Sequence, residues 1–168
     1  MLTIRKGTPA DLAEIWMLVE DAIADMNAKG NPQWGKDYPN MTHFAEGIAA
    51  GELYAACDQD GRILGVAILN TDQEPVYEDL SGWQESLPAL LIHKVAVLPS
   101  AQRMGVASAL FEYAFNLART SGLRSIRMDT YCMNGRMQGL VRKHGFHYVG
   151  NVHFPNRPLA YRAYEKLL

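Results

Sequence analysis

The stretch VAVLPSAQRMGVASALFEYAFNLA, Val95–Ala118, decides how this chain is read. Val95-Ala96-Val97-Leu98 is an apolar run stopped by Pro99 and reads as the end of a strand. Gln102-Arg103-Met104-Gly105-Val106-Ala107 is then a turn that opens a helix. Val106, Ala109, Leu110, Tyr113 and Leu117 recur at helical spacing and give that helix an apolar stripe. A strand, a turn and a helix start together make a place for an anion. The first amides of a helix have no internal partner, and the positive end of its dipole lies there. Gly105 and Ala107 keep side-chain bulk low where a phosphate would approach the backbone. Other phosphate loops do not fit, since neither G-x-x-x-x-G-K-[ST] nor a strand-linked G-x-G-x-x-G is present. The bare pattern Q-x-x-G-x-A also suits an ordinary turn whose small residue serves packing, so context has to decide.

Upstream, Leu2–Lys6 reads as a first strand. Thr8-Pro9-Ala10-Asp11 is a helix start, with Thr8 as N-cap, Pro9 at the first position and Asp11 closing a variant capping box. Leu12, Ile15, Trp16, Val19, Ile23 and Met26 follow at helical spacing. Residues 30–40 are rich in Gly, Pro and Asn and predict a loop, followed by a short helix over 42–50. Two apolar runs, 53–57 and 62–69, flank Asp58-Gln59-Asp60-Gly61 and predict a hairpin. Residues 70–88 form a long polar connection, and 90–98 predict a central strand. After the helix over 105–120 come a strand over 124–130, a helix over 134–144, and strands over 146–149 and 159–166. The expected fold is α/β: one domain over 1–168 with a mixed, mostly antiparallel sheet of about six or seven strands and about four flanking helices.

Composition agrees with a globular chain: 48% of the 168 residues are hydrophobic and 20% charged. No secretory leader pattern opens the sequence, and no apolar run reaches the ~18 residues of a membrane span. Cys57 and Cys132 form no disulfide framework, so a reducing cytoplasm is the expected compartment. The net charge of −2 hides an asymmetry. Residues 1–101 hold 15 acidic and 6 basic side chains, and residues 102–168 hold 3 and 10. A basic second half suits an anionic ligand.

About thirty residues after the turn, Asn134-x-x-Met137-Gln138-x-Leu140-Val141-x-Lys143-x-Gly145-Phe146 appears. Together, Val95–Pro99 with Gln102-x-x-Gly105-x-Ala107 resembles motif A of the GNAT superfamily of N-acetyltransferases, and the later segment resembles its motif B. The order of elements is similar to that fold over essentially the whole chain. The resemblance implies acetyl-CoA as the acyl donor. It implies that backbone groups of Val95, Ala96 and Val97 border the pantetheine arm. It also implies that Gln102, Arg103, Met104, Gly105, Val106, Ala107 and Ser108 surround the pyrophosphate, and that Asn134 contacts the cofactor arm.

Acetyl transfer to an amine needs a neutral nucleophile. A lysine-like amine, with a pKa of about 10.4, is neutral in roughly one molecule in 2,500 at pH 7, a deficit of about 4.6 kcal/mol. A general base removes that proton. His93 is the leading candidate, two residues before Val95, because imidazole titrates near neutrality. Its other reading is a histidine satisfied by a hydrogen bond in the strand. Lys94 should face the opposite side by the two-residue period. The resemblance places the oxyanion donor at a backbone amide near Val95. Many relatives have a Tyr, acting as acid toward the thiolate, where this chain has Val141. Tyr131 is the substitute candidate, with packing or substrate contact as its other reading.

The acids Asp72, Glu74, Glu78, Asp79 and Glu85 lie in the 70–88 connection and would border an acceptor groove or simply be solvated. Trp34, Tyr38, Tyr77 and Trp83 would line that groove or pack the loops down. His144, His147 and His153 match no zinc spacing, so no metal is expected. Arg119, Arg124, Arg127, Arg136, Arg142 and Lys143 accompany no nucleic-acid motif and read as solvated faces or cofactor phosphate contacts. The expected protein is an acetyl-CoA-dependent N-acetyltransferase acting on a small-molecule or peptide amine. It would be a monomer or homodimer with no membrane or nucleic-acid partner. The alternative is a non-catalytic acyl-CoA-binding sensor of the same fold, motivated by Val141.

Overall fold

The computed structural model describes residues 1–168. Seven strands form: β1 (Thr3–Lys6), β2 (Leu53–Cys57), β3 (Ile63–Asn70), β4 (Leu90–Val97), β5 (Ser125–Tyr131), β6 (His147–Val152) and β7 (Tyr161–Leu167). Four α-helices accompany them: α1 (Leu12–Ala28), α2 (Met41–Ala49), α3 (Val106–Thr120) and α4 (Gly135–Lys143). The strands make one sheet in the order β1-β2-β3-β4-β5-β7-β6. The β1–β2, β2–β3, β5–β7 and β6–β7 pairs are antiparallel, and β4 runs parallel to β5, with Leu90 opposite Ile126 and Leu91 opposite Arg127. This is the α/β architecture the sequence predicts. No helix is long and apolar enough to cross a membrane.

The chain divides into two compact units, residues 1–69 with 93–113, and residues 70–92 with 114–168. In the first, α1 buries Ile15, Leu18, Val19 and Ala22, which recur at helical spacing. These pack with Phe44 and Ile48 of α2 and with Leu53, Ala55, Ile63, Val66 and Ile68 of the β2–β3 hairpin. Phe44 has no exposed surface, so its loss to Ala would cost about 3–5 kcal/mol. The hairpin turns at Gly61, whose φ of +83° needs glycine, while Asp58 accepts the amides of Asp60 and Arg62 on its side chain, both at 3.0 Å. The start of α1 is tied to β1. Asp11 accepts the Thr8 amide at 2.7 Å and both Arg5 guanidinium NH2 groups at 2.7 and 2.9 Å. Pro9–Asp11 is a short 3-10 turn, so the α-helix begins at Leu12, four residues beyond the predicted cap.

The second unit has its own core of Tyr77, Leu91, Tyr131, Val152, Tyr161 and Ala163, with Trp83 and Phe154 packed against it. Its central device is a buried ion pair. Arg127 of β5 is 2% exposed and Glu165 of β7 fully buried, with Arg127 Nε 3.8 Å from Glu165 Oε1. Arg127 donates to the Gln73 side chain at 2.5 Å and the Glu85 carbonyl at 2.6 Å, and its guanidinium lies 4.1 Å from the Trp83 ring centroid. Glu165 accepts the Gln84 amide at 2.7 Å and the Glu85 amide at 3.2 Å. Residues 73–85 are thereby pinned onto β5 and β7. This corrects the reading of Arg127 as part of a solvated face: a buried carboxylate must be paired, and Arg127 pairs it. The connection is less of a loose loop than its polarity suggests, since Pro75–Asp79 forms a 3-10 turn and Tyr77 is 1% exposed.

Candidate active site

The first unit holds the strand end and the turn together. On β4, Ala96 is buried while Val95 and Val97 are half-buried, so the two valines share a face. Leu98 donates its amide to Leu64 of β3 at 2.9 Å, which fixes the strand end. The chain next makes a 3-10 turn at Pro99–Ala101. Two residues of the following turn are left-handed, Arg103 at φ +64° and Gly105 at φ +80°. Glycine adopts that conformation without strain; arginine does so at a cost of about 1–2 kcal/mol. The sequence reading assigned Gly105 a need for low bulk; the backbone angle is a further reason for glycine there.

The i→i−4 bond that opens this helix runs from Ala109 N to Gly105 O at 2.9 Å. The amides of Gly105, Val106 and Ala107 therefore precede the ladder, at the positive end of α3. No acidic residue occupies the first turn of α3. Arg103 and Gly105 are exposed, as is Met104, whereas Val106 is buried and anchors the helix. Beneath it, Gly65 of β3 allows close approach, because a Cβ there would meet Val106 Cγ1 at 2.6 Å and the Ala96 carbonyl oxygen at 3.1 Å. Backbone donors, a positive dipole end and the absence of first-turn carboxylates fit a pyrophosphate group.

Gln102 is placed by α1. Its Nε2 donates to Asp25 Oδ2 at 2.9 Å, and Lys29 Nζ donates to its Oε1 at 3.3 Å. Lys29 and Asp25 are themselves ion-paired at 2.8 Å. The carboxamide predicted to lie at the cofactor is thus engaged by the protein, and the Asp25 charge beside the turn is balanced by Lys29. Ser108, in the first turn of α3, is half-buried.

His93 and Lys94 lie on the same strand and are both half-buried. Lys94 has φ +48°, which breaks the two-residue alternation. Three consecutive residues, His93, Lys94 and Val95, are half-buried. Lys94 Nζ lies 5.4 Å from the Tyr38 ring centroid, and the Tyr38 and His43 rings are 5.2 Å apart. His43 Nδ1 accepts the Asn40 amide at 3.0 Å, while Asn40 Oδ1 caps α2 by accepting the His43 amide at 3.3 Å. Burial, and then the charge of Lys94, push the His43 pKa below its ordinary value; Glu46 opposes them.

In the second unit, Asn134 caps α4 by accepting the Met137 amide on its side-chain oxygen at 3.1 Å. Tyr131 is 2% exposed, its ring 4.9 Å from that of Tyr161. Val141 is fully buried. Of the loop aromatics, Trp34 and Tyr77 are buried in the cores of their units, and Tyr38 and Trp83 are partly buried. The other two basic and acidic loop residues of note, Arg124 and Glu85, pair at 3.1 Å.

The family model for GNAT acetyltransferases matches residues 16–146. The chain belongs to the GNAT acetyltransferase family. This GNAT protein is an acyltransferase. It superposes on an acetyltransferase of the GNAT family from Streptococcus agalactiae 2603 with a TM-score of 0.86 at 26% identity, covering 99% of this chain and 95% of that one. A proposed acetyltransferase from Staphylococcus aureus Mu50 is 32% identical, with a TM-score of 0.76 and 98% of each chain covered. The ribosomal-protein-S18-alanine N-acetyltransferase of Escherichia coli shares the fold, with a TM-score of 0.67 at 19% identity over 100% of this chain and 93% of that one. No curated protein is significantly similar in sequence. Members of the GNAT family generally use acetyl-CoA.

Proposed function

We propose that this GNAT acetyltransferase moves acetyl from acetyl-CoA to a primary amine of a small molecule or peptide by direct attack. The observation that supports this best is the turn at 102–108, with left-handed Arg103 and Gly105 ahead of the first α3 amides. Those amides, with Arg103 at the turn, would hold the pyrophosphate. Val95 and Val97, on one face of β4, would hold the pantetheine arm through their backbone groups. Acetyl-CoA would supply the acetyl group as a thioester, whose C–S bond breaks once the new C–N bond has formed.

His93 acts as the base. It takes the proton that the amine must lose, directly or through a water, and so offsets the deficit of about 4.6 kcal/mol. The amide near Val95 donates to the charge that develops on the carbonyl oxygen. A thiol with a reference pKa of about 8.5 leaves readily as a thiolate near neutrality, so an acid is needed less than a base. Tyr131, the hydroxyl the sequence offers for an acid, is buried against Tyr161, which suits packing.

The test is thiol release with a panel of amino acids, polyamines, aminoglycosides and peptide amines. His93→Ala should lower kcat by about 10²–10⁴-fold on the acceptor found and change the pH dependence of kcat/KM. Unchanged turnover and pH dependence would remove His93 from the mechanism. Absence of turnover with every amine would remove the amine acceptor.

A further inference from the structure

Lys94 has a cationic head with no carboxylate partner. It lies 5.4 Å from the Tyr38 ring centroid and influences the titration of His43. A half-buried ammonium is usually paired, since partial burial removes water that would otherwise solvate it. This one is also held by strained backbone, because a non-glycine residue at φ +48° inside a strand is costly. Such strain clusters at sites where a side chain must be aimed.

Beside Lys94, His43 adds a second donor. His43 Nδ1 is occupied as an acceptor by the Asn40 amide, so in the neutral ring the proton sits on Nε2, which can only donate. Both rings border the nine-residue helix α2, whose first turn contains no acidic residue and whose N-terminal end is positive. Glu46, one turn further along α2, is the nearby negative charge that acts on His43. Lys94 is covalently adjacent to His93 and Val95, so this cationic group stands one residue from both the proposed base and the proposed carbonyl donor.

The geometry points to Lys94, with Tyr38 and His43, as an acceptor subsite for a carboxylate, which makes the acceptor an amino-acid-type amine rather than a polyamine. This rests on the reading of His93 and Val95 as the acyl-transfer centre. Lys94 would supply the charge, His43 a neutral N–H, and Tyr38 the wall that keeps the ammonium in place. The carboxylate takes no part in bond making; it orients the amine at its other end.

The experiment compares each amino acid with its decarboxylated amine in thiol-release assays on the full chain. Isothermal titration of N-acetyl amino acids, the products, supplies a readout independent of turnover. The wild-type enzyme should prefer the carboxylated member by at least about tenfold in kcat/KM, the scale of one charged hydrogen bond. Lys94→Met should collapse that preference toward one through KM, and Lys94→Arg should retain most of it. Lys94→Gln serves in place of Lys94→Met if the latter does not fold. N-acetyl amino acids should bind wild type at least about tenfold more tightly than the Met variant. A preference for decarboxylated amines or polyamines, or a carboxylate preference that survives loss of the charge, would overturn the subsite. If no amine is turned over, the transfer reading fails. Product binding then decides the subsite by itself, and affinity that is absent or independent of Lys94 overturns it.

Discussion

The Gln102 carboxamide donates from Nε2 to Asp25 Oδ2 at 2.9 Å and accepts Lys29 Nζ on Oε1 at 3.3 Å. A turn that cradles phosphate by its backbone needs its own side chains tied elsewhere, and α1 supplies the tie. Gln102→Leu should therefore raise the KM for acetyl-CoA about fivefold, the equivalent of about 1 kcal/mol, with little change in kcat at saturation. Gln102 is a positioning residue in this account. Steady-state kinetics check it, and a KM equal to wild type would show that the clamp does not shape the turn.

Asp11 receives Arg5, the Thr8 amide and the Thr8 hydroxyl. Arg5 foremost, and then Thr8, hold its carboxyl well below the usual range, although burial opposes them. A depressed folded pKa means that the unfolded chain binds the proton more readily. The stabilisation is thus fully present above about pH 4 and is lost as pH falls through the folded value. Arg5 is well solvated, which limits the pair, so Asp11→Asn should cost about 1 kcal/mol at pH 7. Urea unfolding at pH 7 and at pH 2.5 should show the gap between variant and wild type narrowing in acid. A gap that widens would reverse the sign.

His43 should titrate below about 6.5, the ordinary imidazole value, because burial and Lys94 both disfavour its charged form. Its contribution to stability is present above that ordinary value and declines as pH falls, since protonation also removes the Nδ1 acceptor of the Asn40 amide. NMR titration of the ring checks this. Lys94→Met should move the midpoint upward. A midpoint that is unmoved would mean that the ammonium is too far or too solvated to act.

Arg127→Met leaves Glu165 buried with only the Gln84 and Glu85 amides and His147, whose Nε2 is 3.4 Å away. Breaking a buried pair on one side should cost about 3 kcal/mol. It should also free residues 73–85, because Arg127 holds Gln73, Glu85 and Trp83. Denaturant melts, with proteolysis of that segment, measure both effects. A loss under about 1 kcal/mol would show that the amides alone satisfy the carboxylate.

Local signals in the sequence locate the elements well. Gly61 marks the hairpin turn, Gly105 the turn that opens α3, and the stripe of α1 most of the face that packs on the core. What stayed hidden depends on partners distant in sequence. Nothing in Leu90–Val97 marks Lys94 as left-handed, for no glycine or asparagine stands there. The 70–88 connection reads as polar because its anchors, Arg127 and Glu165, lie on two later strands. Gln102 reads as a cofactor residue because the motif says nothing of Asp25, which is 77 residues earlier. Lys94, Tyr38 and His43 come from a strand, a loop and a helix that no local pattern links.

Everything proposed for this enzyme depends on the turn at 102–108 binding the acyl donor. Isothermal titration of coenzyme A into the wild-type protein and into Gly105→Val measures it directly. A β-branched residue at φ +80° strains the turn by about 1–2 kcal/mol and crowds the approach to the backbone. One site per chain and at least tenfold weaker binding in the variant are expected, with thermal melting showing that the variant remains folded. No binding to the wild type, or equal affinity in a folded Gly105→Val variant, would contradict it.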